Sequence, residues 1–192
     1  MDSSSLVKEL SIVREYFSHN MRTATAMVVA TVSIFKFGLD DDTENLSNMI
    51  IESSYFLDIY DKGMEVLFNY ILGKPLRTEK EEIDPVKITG RLIDDLQCSI
   101  KEQGLNVECF FEDMNIKETN GYIVKTLLEL ILCEEIKKSE AGIEIKTGDK
   151  VFSIRKAVPN DSPEIYDIYI KLLAELNIEF KYNKENLTLK FT

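Results

Sequence analysis

Apolar and small side chains recur every three or four positions from Ser3 to Phe37, a segment without proline or glycine. This period predicts a long amphipathic helix that Gly38 closes. A similar period from Glu44 to Leu72 predicts a second helix, which Gly73-Lys74-Pro75 ends. The repeated positions are Leu6, Leu10, Val13, Phe17, Met21, Ala24, Val28, Thr31 and Phe35, followed by Leu46, Ile50, Ser53, Leu57, Tyr60, Met64, Leu67 and Ile71.

The apolar stripe of this helical hairpin needs more cover than the two helices give each other. Each helix of about 30 residues is some 45 Å long at about 1.5 Å per residue. A second copy of the chain would complete a four-helix bundle, so we expect a homodimer formed by residues 1–75. Gly63 is a weak point in the second helix, costing about 1 kcal/mol relative to alanine.

Residues 76–192 follow a different pattern, in which helical periods alternate with short strands rich in β-branched and aromatic residues. Helices alternating with antiparallel hairpins predict an α/β sandwich, so the fold class of the whole chain is α+β. The predicted helices span 84–104, 121–138 and 162–176, and the predicted strands span 105–111, 142–146, 151–155, 178–182 and 187–191.

The charge and composition of the chain exclude several classes of binding partner. The chain has 192 residues and a net charge of −11, with 34 acidic and 23 basic side chains. Nucleic acids and anionic membrane surfaces both require a basic surface, so neither is expected as a partner. No signal peptide or membrane-spanning run is recognised. The three cysteines, Cys98, Cys109 and Cys133, lack the spacing of a zinc or redox pair and are expected to be buried thiols of a cytoplasmic protein.

His19 is the single histidine of the chain. At about 100° per residue it lies about 200° from the inward-facing Phe17, on the outer side of the first helix. Glu15, Thr23, Ala26 and Ala30 share that sector, and the two alanines leave a shallow strip that a partner can approach. An exposed imidazole on a rigid helix can accept and donate a phosphoryl group. The alternative is an ordinary surface histidine.

The residues around this histidine, Phe17-Ser18-His19-Asn20-Met21-Arg22-Thr23, resemble the H-box of bacterial sensor histidine kinases. The resemblance implies that His19 is phosphorylated, that Asn20 orients its ring, that Arg22 pairs with the phosphoryl group or the partner, and that Thr23 positions a water. Asn20 stands where an acidic residue is commonest in that family, and Ala24 stands where proline is usual. Without proline, the helix should be straighter.

The remainder of the chain resembles the ATP-binding domain of the same kinases, but without its nucleotide site. The segment 127–137 is similar to the family's N-box helix, with Glu134 in place of the magnesium-binding asparagine. The family's glycine-rich adenine and phosphate segments have no counterpart, since no glycine follows Gly148. Glycine permits the backbone conformations on which phosphate-binding turns depend. Asp161 is expected to cap the last helix rather than to bind adenine.

These features together indicate a histidine phosphotransferase that relays phosphoryl groups between the aspartates of receiver domains in a two-component phosphorelay. The receiver would supply Mg²⁺, and ATP is not expected as a cofactor. Two other functions remain open. One is a non-catalytic pseudokinase or adaptor that binds a response regulator or a kinase, and the other is a divergent, ATP-dependent histidine kinase.

Overall fold

A computed structural model describes residues 3–37, 43–76, 82–112, 114, 116, 120–161 and 163–191. Two long helices, α1 (Ser3–Phe37) and α2 (Thr43–Ile71), run antiparallel as the predicted hairpin. Gly38, predicted to close the first helix, lies outside the described residues. Among the described residues, the hairpin is followed by four shorter helices and five strands.

The prediction of a single helix over 84–104 is wrong, because the chain forms two helices there, α3 (Pro85–Asp95) and α4 (Gln97–Glu102). They meet at Leu96, whose backbone departs from helical geometry at φ −101° and ψ 16°. The Asp84 carboxylate caps α3 by accepting a hydrogen bond of 3.1 Å from the Lys87 amide, and Pro85 occupies the first turn, as its fixed φ favours. Neither proline nor glycine marks the break at Leu96.

The strands of the α/β layer are β1 (Asn106–Phe111), β2 (Gly142–Gly148), β3 (Val151–Lys156), β4 (Ile178–Tyr182) and β5 (Asn186–Phe191). They form one mixed sheet in the order β1-β2-β3-β5-β4. Strand β1 pairs in parallel with β2, and the other neighbours are antiparallel. Asp149 and Lys150 have positive φ values of 48° and 61°, which suit a tight hairpin turn between β2 and β3.

Helix α5 (Gly121–Lys138) is the centre of the molecule. Every residue from Ile123 to Ile136 except Lys125 is buried, which a helix reaches only when neighbours cover it on all sides. The hairpin provides one of these neighbours, since the backbone of Gly63 on α2 approaches both Leu130 of α5 and Phe17 of α1. Much of the hairpin's apolar stripe is therefore buried within a single chain.

The last helix, α6 (Tyr166–Glu175), begins later than predicted, and its N-cap position is held by Ile165 rather than by Asp161. The exposed Asp161 carboxylate instead lies 2.9 Å from Lys184 Nζ. The prediction that Asp161 caps this helix is therefore wrong, because the chain turns once more between residue 161 and the start of α6.

The predicted fold class, a helical hairpin followed by a mixed α/β layer, is confirmed. The homodimer and the division at residue 75 stay predictions.

Two expectations of burial are wrong: Phe35, assigned to the inward stripe, is 54% exposed, and Cys109 lies exposed on the edge strand β1. No helix in the described ranges is both long and apolar enough to span a bilayer.

Candidate functional site

The imidazole of His19 is exposed on α1, where it belongs to one of two neighbouring rows of side chains spaced four residues apart. One row is Glu15, His19 and Thr23, and the other is Arg14, Ser18 and Arg22. Residues four apart form ridges on a helix surface, and the space between two ridges is a groove. Here that groove is a shallow depression of about 220 Å³. The helix thus brings together three predicted site residues, His19, Arg22 and Thr23, with Glu15.

Asn20 does not line this depression. It is half-buried, and its amide donates a hydrogen bond of 3.0 Å to the Tyr16 carbonyl oxygen one turn earlier. The Thr23 hydroxyl donates a bond of 3.1 Å to the carbonyl of His19 itself. Within the described part of the chain, no side chain is hydrogen-bonded to the imidazole. Its ring is thus free to adopt the orientation that a partner requires.

Ala26 and Ala30 border a second, more apolar depression of about 520 Å³ along the same helix, next to the histidine. Met21, Arg22, Thr25 and Val29 complete its lining. Arg22 belongs to both depressions and therefore joins the polar surface at His19 to the apolar strip beyond it. The two small side chains leave room for a partner element to approach the helix backbone closely.

The position that resembles the magnesium-binding asparagine is closed by the chain itself. The side chain of Glu134 is 4% exposed, and its Oε1 accepts a hydrogen bond of 2.7 Å from the Tyr16 hydroxyl of α1. Lys138 Nζ lies 3.6 Å from its other oxygen. Burial, and then the neighbouring Tyr169 and Glu134, raises the pKa of Tyr16 well above its usual value, so this hydroxyl remains a donor.

The loop after β3, where the kinases carry their adenine segment, is also closed. Lys156 Nζ lies 3.2 Å from Glu135 Oε2 of α5, and both side chains are at most 2% exposed. The same ammonium donates to Asn160 Oδ1 at 2.7 Å, and the Asn160 amide donates to the Lys138 carbonyl at 3.0 Å. The loop is therefore held against the end of α5 by side chains.

These residues do not fit a magnesium–nucleotide complex. The carboxylate of Glu134 is engaged by Tyr16 and Lys138, and reaching it would require displacing α1. Among the described residues, no group of three or more His, Cys, Asp and Glu side chains is arranged to hold a metal ion.

Comparisons with known proteins agree with this architecture. No protein-family model and no curated protein matches the sequence. Among solved structures, the histidine kinase AdeS of Acinetobacter baumannii is similar over 91% of this chain and 97% of its own, with a TM-score of 0.57 and 13% identity. The cytoplasmic segment of the histidine kinase QseC is similar over 69% of this chain and 93% of its own, with a TM-score of 0.55 and 11% identity. The fold is histidine-kinase-like.

Sequence reasoning missed three residues of this region. Arg14 and Ser18 line the depression at His19, and their spacing of four residues from each other and from Arg22 was the available signal. For Tyr16 the sequence indicates only a position on the first helix. Nothing in the sequence pairs it with Glu134, which is 118 residues further along the chain.

Proposed function

We propose that this protein is a histidine phosphotransferase of a two-component phosphorelay. The observation that carries the proposal is His19, an exposed histidine within an H-box-like segment of a histidine-kinase-like fold, in a chain whose corresponding nucleotide position is closed by Tyr16. Such a chain needs its phosphoryl group from another protein.

In the proposed reaction, a neutral imidazole nitrogen of His19 attacks the phosphorus of a receiver's aspartyl phosphate. The new N–P bond forms as the bond between phosphorus and the aspartate oxygen breaks, and the carboxylate leaves with the electron pair. No proton has to move in this step. The receiver's Mg²⁺ supplies charge neutralisation when bound there. Arg22, beside the imidazole, pairs with the phosphoryl oxygens, and reversal of the reaction passes the group to a second aspartate.

Thr23 and Asn20 have supporting parts in this proposal. The Thr23 hydroxyl donates its hydrogen to the His19 carbonyl, and its oxygen is left to accept a hydrogen bond from a water if the phosphorylated partner is also hydrolysed. Asn20 reaches the ring only after releasing the Tyr16 carbonyl. Its role in orienting the imidazole therefore requires a rotamer that the partner induces.

We also propose that the chain works as a homodimer through its hairpin. The support is a set of apolar side chains that α5 does not cover. Val32, Phe35 and Ile51 are 46%, 54% and 61% exposed, although all three belong to the hairpin. A second hairpin would bury them in a four-helix bundle.

The test uses the intact chain and a panel of receiver domains phosphorylated on aspartate. Acid-labile phosphate should appear on the wild-type chain and be absent from His19→Gln, which keeps a polar side chain of similar size. Transfer to a second receiver should follow. Equal labelling of both chains would reject His19 as the phosphoryl carrier.

One observation favours a second candidate function, the non-catalytic adaptor. No side chain of the described residues orients the imidazole, and Asn20 is engaged elsewhere. An adaptor would retain its partner affinity and cellular activity in His19→Gln but lose both when Ala26 or Ala30 becomes bulky. The third function, a divergent kinase, would require tight Mg–ATP binding in calorimetry.

A further inference from the structure

The surface around His19 has a charge opposite to that of the chain as a whole. Helix α1 carries four basic side chains (Lys8, Arg14, Arg22 and Lys36) and two acidic ones (Glu9 and Glu15), while the chain has 34 acidic and 23 basic side chains. Of the two acidic groups, Glu9 is buried and paired with Lys171. The solvent-facing side of α1 is therefore locally cationic on an anionic protein.

Arg14 and Arg22 lie on either side of His19 along the helix. Arg14 precedes the histidine by five residues and Arg22 follows it by three, which is about 7.5 Å and 4.5 Å along the axis at about 1.5 Å per residue. Both are exposed, and neither forms an ion pair with any described residue. Ser18, which has a short side chain, is the residue between them in their row, and all three line the depression at His19.

We propose that Arg14 and Arg22, separated by Ser18, form a recognition element for the acidic surface that surrounds the phosphoacceptor aspartate of a receiver domain. This inference rests on the proposed function and adds Arg14, which touches no reacting atom, as a specificity-determining residue. The complementary charge accelerates encounter and fixes the register of the partner along α1. Arginine suits this role because its planar guanidinium binds carboxylates through two parallel hydrogen bonds.

The choice of an acidic partner follows from the charges in the depression. Two uncompensated cations repel a basic surface and lose hydration without a partner against a neutral one, whereas they attract carboxylates throughout the approach. The single acidic residue of the depression, Glu15, accepts a hydrogen bond of 3.3 Å from Ser11. It does not neutralise either arginine.

The chain offers a matched control for this idea. Lys36 is an exposed cation on the same helix, 17 residues beyond His19, or about 26 Å along the axis. Arg14→Glu and Lys36→Glu change the net charge of the chain by the same amount. Arg14→Lys keeps the charge but loses the planar fork.

The experiment measures the association rate with a receiver domain in Mg²⁺ buffer, using His19→Gln as the background so that no phosphate moves. The receiver used is the one that labels wild-type His19 fastest, or the tightest binder if none labels it. At about 0.1 M salt, where charges are screened beyond about 10 Å, Arg14→Glu should slow association about tenfold, whereas Lys36→Glu and Arg14→Lys should stay within about twofold. At about 1 M salt, where charges are screened within about 3 Å, the variants should converge.

Three outcomes would overturn the inference: an unchanged rate in Arg14→Glu, an equal slowing by Lys36→Glu, or no receiver that binds. Failure of the proposed function is distinguished from failure of the recognition element by comparing receiver binding with labelling of His19. If Arg14→Glu slows binding but no receiver labels His19, the recognition element stands and the relay does not. If labelling of His19 proceeds at the wild-type rate in Arg14→Glu, the relay stands and the recognition element does not.

Discussion

The hydroxyl of Tyr16 donates a hydrogen bond of 2.7 Å to Glu134, joining the helix that carries His19 to the central helix of the α/β layer. Tyr16→Phe removes this donor and leaves a buried carboxylate with Lys138 alone, 3.6 Å away. We expect the free energy of unfolding to fall by about 1–3 kcal/mol. Denaturant titration measures it. Tyr70→Phe, which loses an exposed bond to Glu175, is the control and should cost under about 1 kcal/mol. Equal losses of unfolding free energy in the two variants would show that the buried hydrogen bond contributes no more to stability than the exposed one.

The ion pair of Lys156 and Glu135 should be highly sensitive to loss of one partner. Lys156→Met leaves the Glu135 carboxylate buried with the Tyr166 hydroxyl, 2.8 Å away, as its remaining donor. The free energy of unfolding should fall by about 3–5 kcal/mol. Adding the second substitution, Glu135→Leu, should restore part of that stability, because it removes the unpaired buried carboxylate. The exposed pair Lys181–Glu179 is the comparison, since Lys181→Met should leave the free energy of unfolding nearly unchanged. A stable Lys156→Met protein would contradict this picture.

Gly63 should resist substitution even though it lies within a helix. A Cβ there would lie 2.5 Å from Leu130 Cδ1 and 3.0 Å from Phe17 Cζ. Gly63→Ala should therefore lower stability by about 1–3 kcal/mol, because overpacking outweighs the gain in helix propensity. At Gly90 on α3 a Cβ meets no atom within 4 Å, so Gly90→Ala should raise the melting temperature. Thermal unfolding of both variants checks the pair, and a stabilised Gly63→Ala would reject the close contact.

Glu129 should make stability depend on pH. Burial raises its pKa in the folded state, and its partner Lys125 is 4.0 Å away. The folded protein therefore holds this proton more tightly than the unfolded chain, so the contribution of Glu129 is fully present at low pH and is lost as pH rises through the raised pKa. Glu129→Gln should be more stable than wild type at pH 7 and similar to it at pH 4. Denaturation at both pH values is the measurement, and equal stabilities of Glu129→Gln and wild type at pH 7 would contradict this expectation.

A bulky side chain at Ala30 should block the partner without harming the fold. Ala30 is exposed on the apolar strip next to His19, so Ala30→Trp should change stability by less than about 0.5 kcal/mol. Binding of the receiver should fall by about tenfold or more, a loss of about 1.4 kcal/mol. Ser47→Trp, at an exposed position of α2, should bind normally. Unchanged binding by Ala30→Trp would remove this strip from the interface.

The hairpin, the strands and the outward direction of His19 could be predicted because each follows from a local period in the sequence. The break at Leu96 could not, because it has no proline or glycine to signal it. The same limit applies to Tyr16, whose orientation is decided by α5 and not by its own helix. Phe35 was assigned inward from its phase alone, but burial also requires a covering element, and none of the described residues covers it.

The late position of α5 in the sequence also affects how the protein folds during its synthesis. Glu9 on α1 pairs with Lys171, 162 residues later, and the inner face of the hairpin is covered only once α5 is available. At about 5–20 residues per second, a ribosome needs several seconds between completing α2 and completing α5. For that interval the hairpin's apolar face has no intramolecular cover. Nascent chains should therefore depend on a chaperone, or on another nascent hairpin, until α5 emerges.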